Sequence, residues 1–170
     1  MEKGGGKIEK LAIITQPLNE NELMKFAKNI GDNLVKGDLV LLKGDLGSGK
    51  TTFVKGLAFS LGIDMKTVSS PTFTILNVYK GKVKLYHMDL YRLNDINEFI
   101  EAGLEEFLSP EDGITVVEWP DIIKSIRQNE FLEIIIEFVS IDFRRLKLIP
   151  RGEKYEQRFL RGENCENVKD

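Results

Sequence analysis

"LVLLKGDLGSGKTTFVKGLAFSLG", residues 39–62, passes from an unbroken apolar run through a glycine-rich turn into a chain of helix formers. Within it Gly44 to Thr51, GDLGSGKT, satisfies G-x-x-x-x-G-K-[ST] between a predicted strand and a predicted helix, the context that makes the pattern a phosphate-binding loop. Glycines let consecutive backbone N–H groups turn inward, and the mouth of the following helix adds its positive end. Gly44, Asp45, Leu46, Gly47, Ser48, Gly49, Lys50, Thr51 and Thr52 thus read as a cradle for the phosphates of a nucleotide. Lys50 would neutralise the β and γ oxygens, and the Thr51 hydroxyl would ligate magnesium, a hard cation that takes oxygen ligands. The plainer alternative is an ordinary glycine turn ahead of a helix.

Outward from the loop, the apolar run 38–44 has the pattern of a strand covered on both faces. The helix begun at Lys50 stops at Gly62. Upstream, LAIITQ (11–16) reads as a short strand, and Leu23, Phe26, Ala27, Ile30 and Leu34 recur at helical spacing. Downstream, residues 71–93 read as two strands joined at Lys80-Gly81, and INEFIEAGLEEFL as a helix divided at Gly103. GITVVEW (113–119) is a strand, Pro120 opens a short helix, and FLEIIIEFV and RRLKLIP are two final strands. Strands alternating with helices, then an antiparallel flank, predict an α/β fold: a P-loop NTPase-like three-layer sandwich with a mixed central sheet. The organisation expected is a flexible start (1–10), one ATPase domain (11–150), and a charged C-terminal helix and tail (151–170).

The 170 residues are 42% apolar and 30% charged, the balance of an ordinary folded domain. A net charge of −3 argues against DNA or another polyanion being held by bulk charge. Cys165 is the single cysteine, so neither a disulfide framework nor a cysteine zinc site is expected. No stretch approaches the about 18 apolar residues of a membrane span. A soluble protein of the reducing cytoplasm, with no membrane partner, is the expectation.

A magnesium site beside Thr51 needs a carboxylate at the end of a neighbouring buried strand. Glu118 ends ITVVE and Asp89 ends KLYHMD. Glu118 is assigned to the metal, through water, and Asp89 to ordering the metal shell or the attacking water; a turn residue or helix cap is the alternative for each. In SSPTFTI (69–75), the hydroxyls of Ser69, Ser70, Thr72 and Thr74 suit a segment that senses the γ-phosphate, or simply the entry to a strand. His87, the sole histidine, either orients Asp89 or packs in the core. Trp119 is expected to pack on the opposite strand face, and Arg144, Arg145 and Arg151 to lie on a solvated face, with an arginine finger or an RNA contact as the alternatives.

GDLGSGKTT, SPTFTI, HMDLYRL and VEWPD, in that order, resemble the TsaE family, the small ATPases of bacterial tRNA threonylcarbamoyladenosine synthesis, over residues 11–150. The resemblance implies ATP and magnesium as cofactors, and action with the TsaB–TsaD complex, which carries out the transfer to tRNA. Contact with tRNA would then be indirect, through that complex. It also implies phosphate binding by 44–52, metal ligation by Thr51 and Glu118, a switch-like Thr72, a strand acid at Asp89, and adenine-side contacts near Glu20 and in the late strands.

Rival readings are a small-molecule or nucleotide kinase, a GTPase, and a module that holds nucleotide only as a brace. A kinase closes an arginine-bearing lid over the transferring group, yet Arg92 is the first arginine in the chain. The N-K-x-D guanine reader is absent, and DLYR is not D-x-x-G. Lys50, Thr51, Asp89 and Glu118 together exceed what a brace requires.

Overall fold

Seven strands form one sheet in the order β1-β7-β6-β2-β5-β4-β3. They are β1 (Ile13–Ile14), β2 (Leu39–Lys43), β3 (Leu76–Tyr79), β4 (Lys84–Asp89), β5 (Gly113–Glu118), β6 (Phe131–Phe138) and β7 (Arg144–Arg151). The computed structural model describes residues 11–126 and 130–161. The expected flexible start, the last nine residues of the expected tail and Cys165 lie outside these.

Strands β4, β5, β2 and β6 run parallel to one another, while β3, β7 and β1 are joined antiparallel at the two flanks. The sheet is therefore mixed, as its sequence pattern predicts. The segment 71–75 does not extend β3. It forms a turn that ends at Ile75, whose φ of 66° is unusual for a β-branched residue.

On one face lie α1 (Glu20–Asp32) and α2 (Lys50–Ser60). Asn19 and Glu22 close the start of α1 with a reciprocal capping box. Leu23, Ala27 and Ile30 of α1 and Val54 and Leu57 of α2 pack with Val40, Leu42, Val116 and Ile134 of the sheet. The two helices meet closely because Gly56 faces α1 with no side chain; an added Cβ would collide with the carbonyl oxygen of Met24. The opposite face carries α3 (Ile96–Glu101) and 3-10 turns at 104–107 and 120–125. There Phe99, Leu104 and Ile123 cover Leu41, Met88 and Val117. Two helical layers around a sheet make the three-layer α/β sandwich, and the predicted division at Gly103 is present.

The last helix, α4 (Glu153–Leu160), returns to the root of β2. The Leu39 N–H donates to the Tyr155 hydroxyl at 2.9 Å. Beside it the fully buried Asp38 pairs with Lys154 at 2.8 Å and with Arg158. Among the described residues no helix is long and apolar enough to cross a membrane.

Candidate functional site

Parallel pairing brings the C-terminal ends of β2, β5 and β4 to one edge, where open α/β sheets bind ligands. Leu42 is the register partner of Glu118, and Glu118 that of Asp89. The two acids predicted from separate strand ends therefore stand side by side, on the face covered by α2, and both are buried at 2–3% exposure.

Between β2 and α2 the glycine loop turns back on itself, with the Ser48 N–H donating to the Asp45 carbonyl at 3.0 Å. Gly49, at φ 105°, starts α2 without any side-chain cap, so the helix mouth keeps free donors. The Lys50 Nζ donates to the carbonyls of Gly44 at 2.7 Å and Asp45 at 2.9 Å, which pins the ammonium under the loop. Burial pushes this amine below the ordinary lysine range; the nearby Glu118, Asp89 and Asp45 pull the other way without reversing it.

Every polar contact of Asp89 holds its carboxylate in one orientation. Oδ2 accepts from Ser70 Oγ at 3.1 Å and Thr72 Oγ1 at 3.0 Å, and Oδ1 accepts from the Tyr91 N–H at 2.9 Å. Glu118 is held differently: its Oε1 lies 2.7 Å from Nε2 of His87. His87 thus contacts Glu118, not Asp89 as one of its sequence readings has it. The two strands pair so that the histidine reaches diagonally to the neighbouring strand end instead of along its own.

These groups line a cleft of about 370 Å³. Leu46, Gly47, Gly49, Lys50, Thr51 and Thr52 form one wall, and Ser70, Thr72, Asp89, Tyr91, Glu118 and Trp119 the other. A second cleft of about 290 Å³ flanks the same loop; there Glu20, Ser48 and Thr52 meet Ile141, Asp142 and Arg144. The first helix and the late strands are thereby brought together at the loop.

Trp119 overturns its sequence reading. The strand ends at Glu118, so alternation no longer governs the next residue, and Trp119 takes φ 54° and ψ 55° ahead of Pro120. Its ring lies 4.2 Å from Lys50 Nζ and 4.9 Å from the Tyr91 ring. Pro120, which has no N–H to give to a strand ladder, was the available signal that the strand stops before it.

Two of the three arginines, Arg144 and Arg151, also depart from a simple solvated face. Nε of Arg144 donates to the Ser48 carbonyl at 3.0 Å, and Arg151 pairs with the buried Glu133 at 2.7 Å. Nothing in the local pattern around Arg144 marks a contact with the glycine loop.

Chemically, the uncapped helix mouth and inward amides suit a phosphate chain, and the two oriented carboxylates beside a lysine suit a cation or a water at its end. Among the described residues no cluster of three or more His, Cys, Asp or Glu could hold a metal alone. The donor set fits an ion that takes one or two oxygens from protein and the rest from phosphate and water, as magnesium does.

A family profile described as "Threonylcarbamoyl adenosine biosynthesis protein TsaE" matches residues 18–146. The chain is similar to the tRNA threonylcarbamoyladenosine biosynthesis protein TsaE of Bacillus subtilis (strain 168), with 41% identity over 140 residues, 82% of this chain and 86% of the relative. Its likeness to the protein of the same name from Borreliella burgdorferi is 45% over 109 residues, covering 64% and 78%. The crystal structure of Bacillus subtilis YdiB superposes with a TM-score of 0.72 at 34% identity, covering 92% of this chain and 96% of that one.

Proposed function

The chain belongs to the TsaE family of threonylcarbamoyl adenosine biosynthesis proteins, and from that premise we propose that it is a magnesium-dependent ATPase serving threonylcarbamoyladenosine modification of tRNA in the cytoplasm. It acts with the TsaB–TsaD complex by binding and hydrolysing ATP, while the transfer step belongs to its partners. The observation that carries this reading is the convergence of Lys50, Asp89 and Glu118 beside the uncapped mouth of α2.

In this reading the amides of 44–52 hold the phosphate chain, and Lys50 adds charge against it. Thr51 and Glu118 would hold magnesium, which supplies positive charge to the phosphate oxygens when bound. Asp89, fixed by Ser70, Thr72 and the Tyr91 N–H, orients the attacking water. Thr72 joins that acid to the segment 69–75, so the γ-phosphate can be sensed through it. The second cleft, with Glu20 and the 141–144 turn, takes the adenosine side.

Slow turnover by the isolated chain is part of the proposal, because no arginine among the described residues lines the first cleft. Two of its lining residues, Leu46 and Tyr91, are instead exposed apolar groups, at 69% and 52% exposure, a surface suited to a protein partner that completes the site.

The test measures phosphate release from ATP with magnesium, with magnesium chelated, and with TsaB–TsaD added. Label should pass from the γ position to water, fall to background on chelation and accelerate with the partners. Label on a small acceptor instead would establish a kinase, and a rate indifferent to the partners would remove their role.

A further inference from the structure

His87 is fully buried in β4, and the parity of the strand aims it to the same side as Asp89 and as Glu118 of β5. Its register partner is Val116, so its Nε2 reaches Glu118 Oε1 at 2.7 Å diagonally, two residues along the neighbouring strand. Its other nitrogen, Nδ1, is buried and has no hydrogen-bond partner among the described residues. Burying an N–H without an acceptor is costly, whereas a bare imidazole nitrogen in the same place costs less. The tautomer that satisfies the pair carries its proton on Nε2 and donates it to Glu118.

This fixes one oxygen of a side chain that has three rotatable bonds. Glu118 lines the first cleft, and with Oε1 engaged below, Oε2 is the oxygen left to face the ligand. The neighbouring acid needs no such help, because both oxygens of Asp89 are already held from the 69–75 segment and the Tyr91 N–H. Each acid has its own orienting set.

We infer that His87 is a positioning residue: it presents a single oxygen of Glu118 to the divalent cation or its water, and so acts on the reaction through Glu118 without touching substrate. The inference rests on the ATPase reading for its consequence, though not for its geometry. Groups that orient a metal-holding side chain typically matter about tenfold to a hundredfold.

Two variants and one spectrum test it. His87→Leu should lower kcat at saturating ATP by about tenfold or more and raise the magnesium needed for half-maximal rate, with KM for ATP changed by less than about twofold. His87→Gln, whose amide can still donate to Glu118, should recover most of the rate. If Leu and Gln variants lose thermal stability alike and keep the wild-type kcat, His87 is a packing residue and the inference falls.

The second measurement does not depend on turnover. His87 is the only histidine, so the imidazole nitrogen NMR spectrum of labelled full-length protein reports it alone. Without ligand it should show a protonated Nε2 and a bare Nδ1, and Glu118→Ala should shift the Nε2 signal. A proton on Nδ1, or a spectrum blind to Glu118→Ala, overturns the inference. A wild-type protein inactive on ATP would strike the functional reading alone, because the spectrum still decides the pair.

Discussion

Arg144 donates through Nε to the carbonyl oxygen of Ser48 at 3.0 Å, joining the turn between β6 and β7 to the glycine loop. Its Nη1 gathers the carbonyls of Ser140, Ile141 and Phe143 at 2.8 to 3.1 Å, and its plane lies 4.2 Å from the Phe138 ring. One guanidinium thus shapes both walls of the second cleft. Arg144→Ala should weaken nucleotide binding by about tenfold, the effect of losing roughly one charged hydrogen bond. Arg144→Lys should not restore it, since an ammonium cannot reproduce the planar fork. Calorimetric titration with ATP decides, and unaltered affinity in the alanine variant would mean the loop holds its shape unaided.

Lys50→Ala should depress affinity and kcat together, because the charge it removes serves the ground state and the transition state alike. Burial lowers the pKa of this lysine, so in the wild type ATP affinity should decline on the alkaline side before the ordinary lysine range is reached. Through that same window the unfolded chain keeps the proton that the folded one has lost, so the contribution of this lysine to stability should rise with pH. Denaturation and binding curves at stepped alkaline pH check both signs, each read as the difference between the wild type and the alanine variant.

Thr72→Val removes a donor from Asp89. A hydrogen bond to a charged group contributes about 1.5–3 kcal/mol, so kcat should fall about tenfold to a hundredfold while ATP affinity changes little. Thr72→Ser should retain most of the rate. A loss in the serine variant, with the valine variant at the wild-type rate, would point to packing of the methyl group in place of the hydroxyl contact.

Glu118→Ala should suppress turnover by about a hundredfold and leave the nucleotide Kd within about threefold, the signature of a group needed chiefly in the transition state. Single-turnover kinetics alongside equilibrium binding separate the two effects. Normal hydrolysis by this variant would transfer the metal role to Asp89.

Away from the site, Glu133 predicts a dependence on acid. Burial opposes its ionisation, but hydrogen bonds from Lys43 and Arg151 outweigh this and hold its carboxyl below the usual range. Its contribution to stability is therefore complete above the ordinary glutamate pKa and is lost as pH falls through the lowered folded value. Urea midpoints across the acid range should show this loss in the wild type and a flatter profile in Glu133→Gln, with the slope of unfolding unchanged.

The fold was legible wherever local pattern decides structure. The apolar run before Gly44 announced a strand covered on both faces, and every residue of Leu39–Leu42 is buried. The two acids were legible as strand ends. Their neighbours were not, because pairing offset is a property of two distant segments: nothing near His87 says that its reach ends on Glu118. Trp119 was misread because alternation was carried one residue beyond the strand. Arg144 was missed because its partner carbonyl lies 96 positions away, and a main-chain oxygen leaves no mark in sequence.

The helix α4 changes where this protein can safely be cut. The family match stops at residue 146, partway along β7, yet the counter-charges of Asp38 and the hydroxyl that receives the first amide of β2 all come from beyond it. A fragment trimmed to the matched span would strand an anion in the interior with no cation to answer it. The strand thereby unmoored at its base is the one whose far tip carries the glycine loop, so damage at the tail would be felt at the opposite end of the sheet, in the shape of that loop.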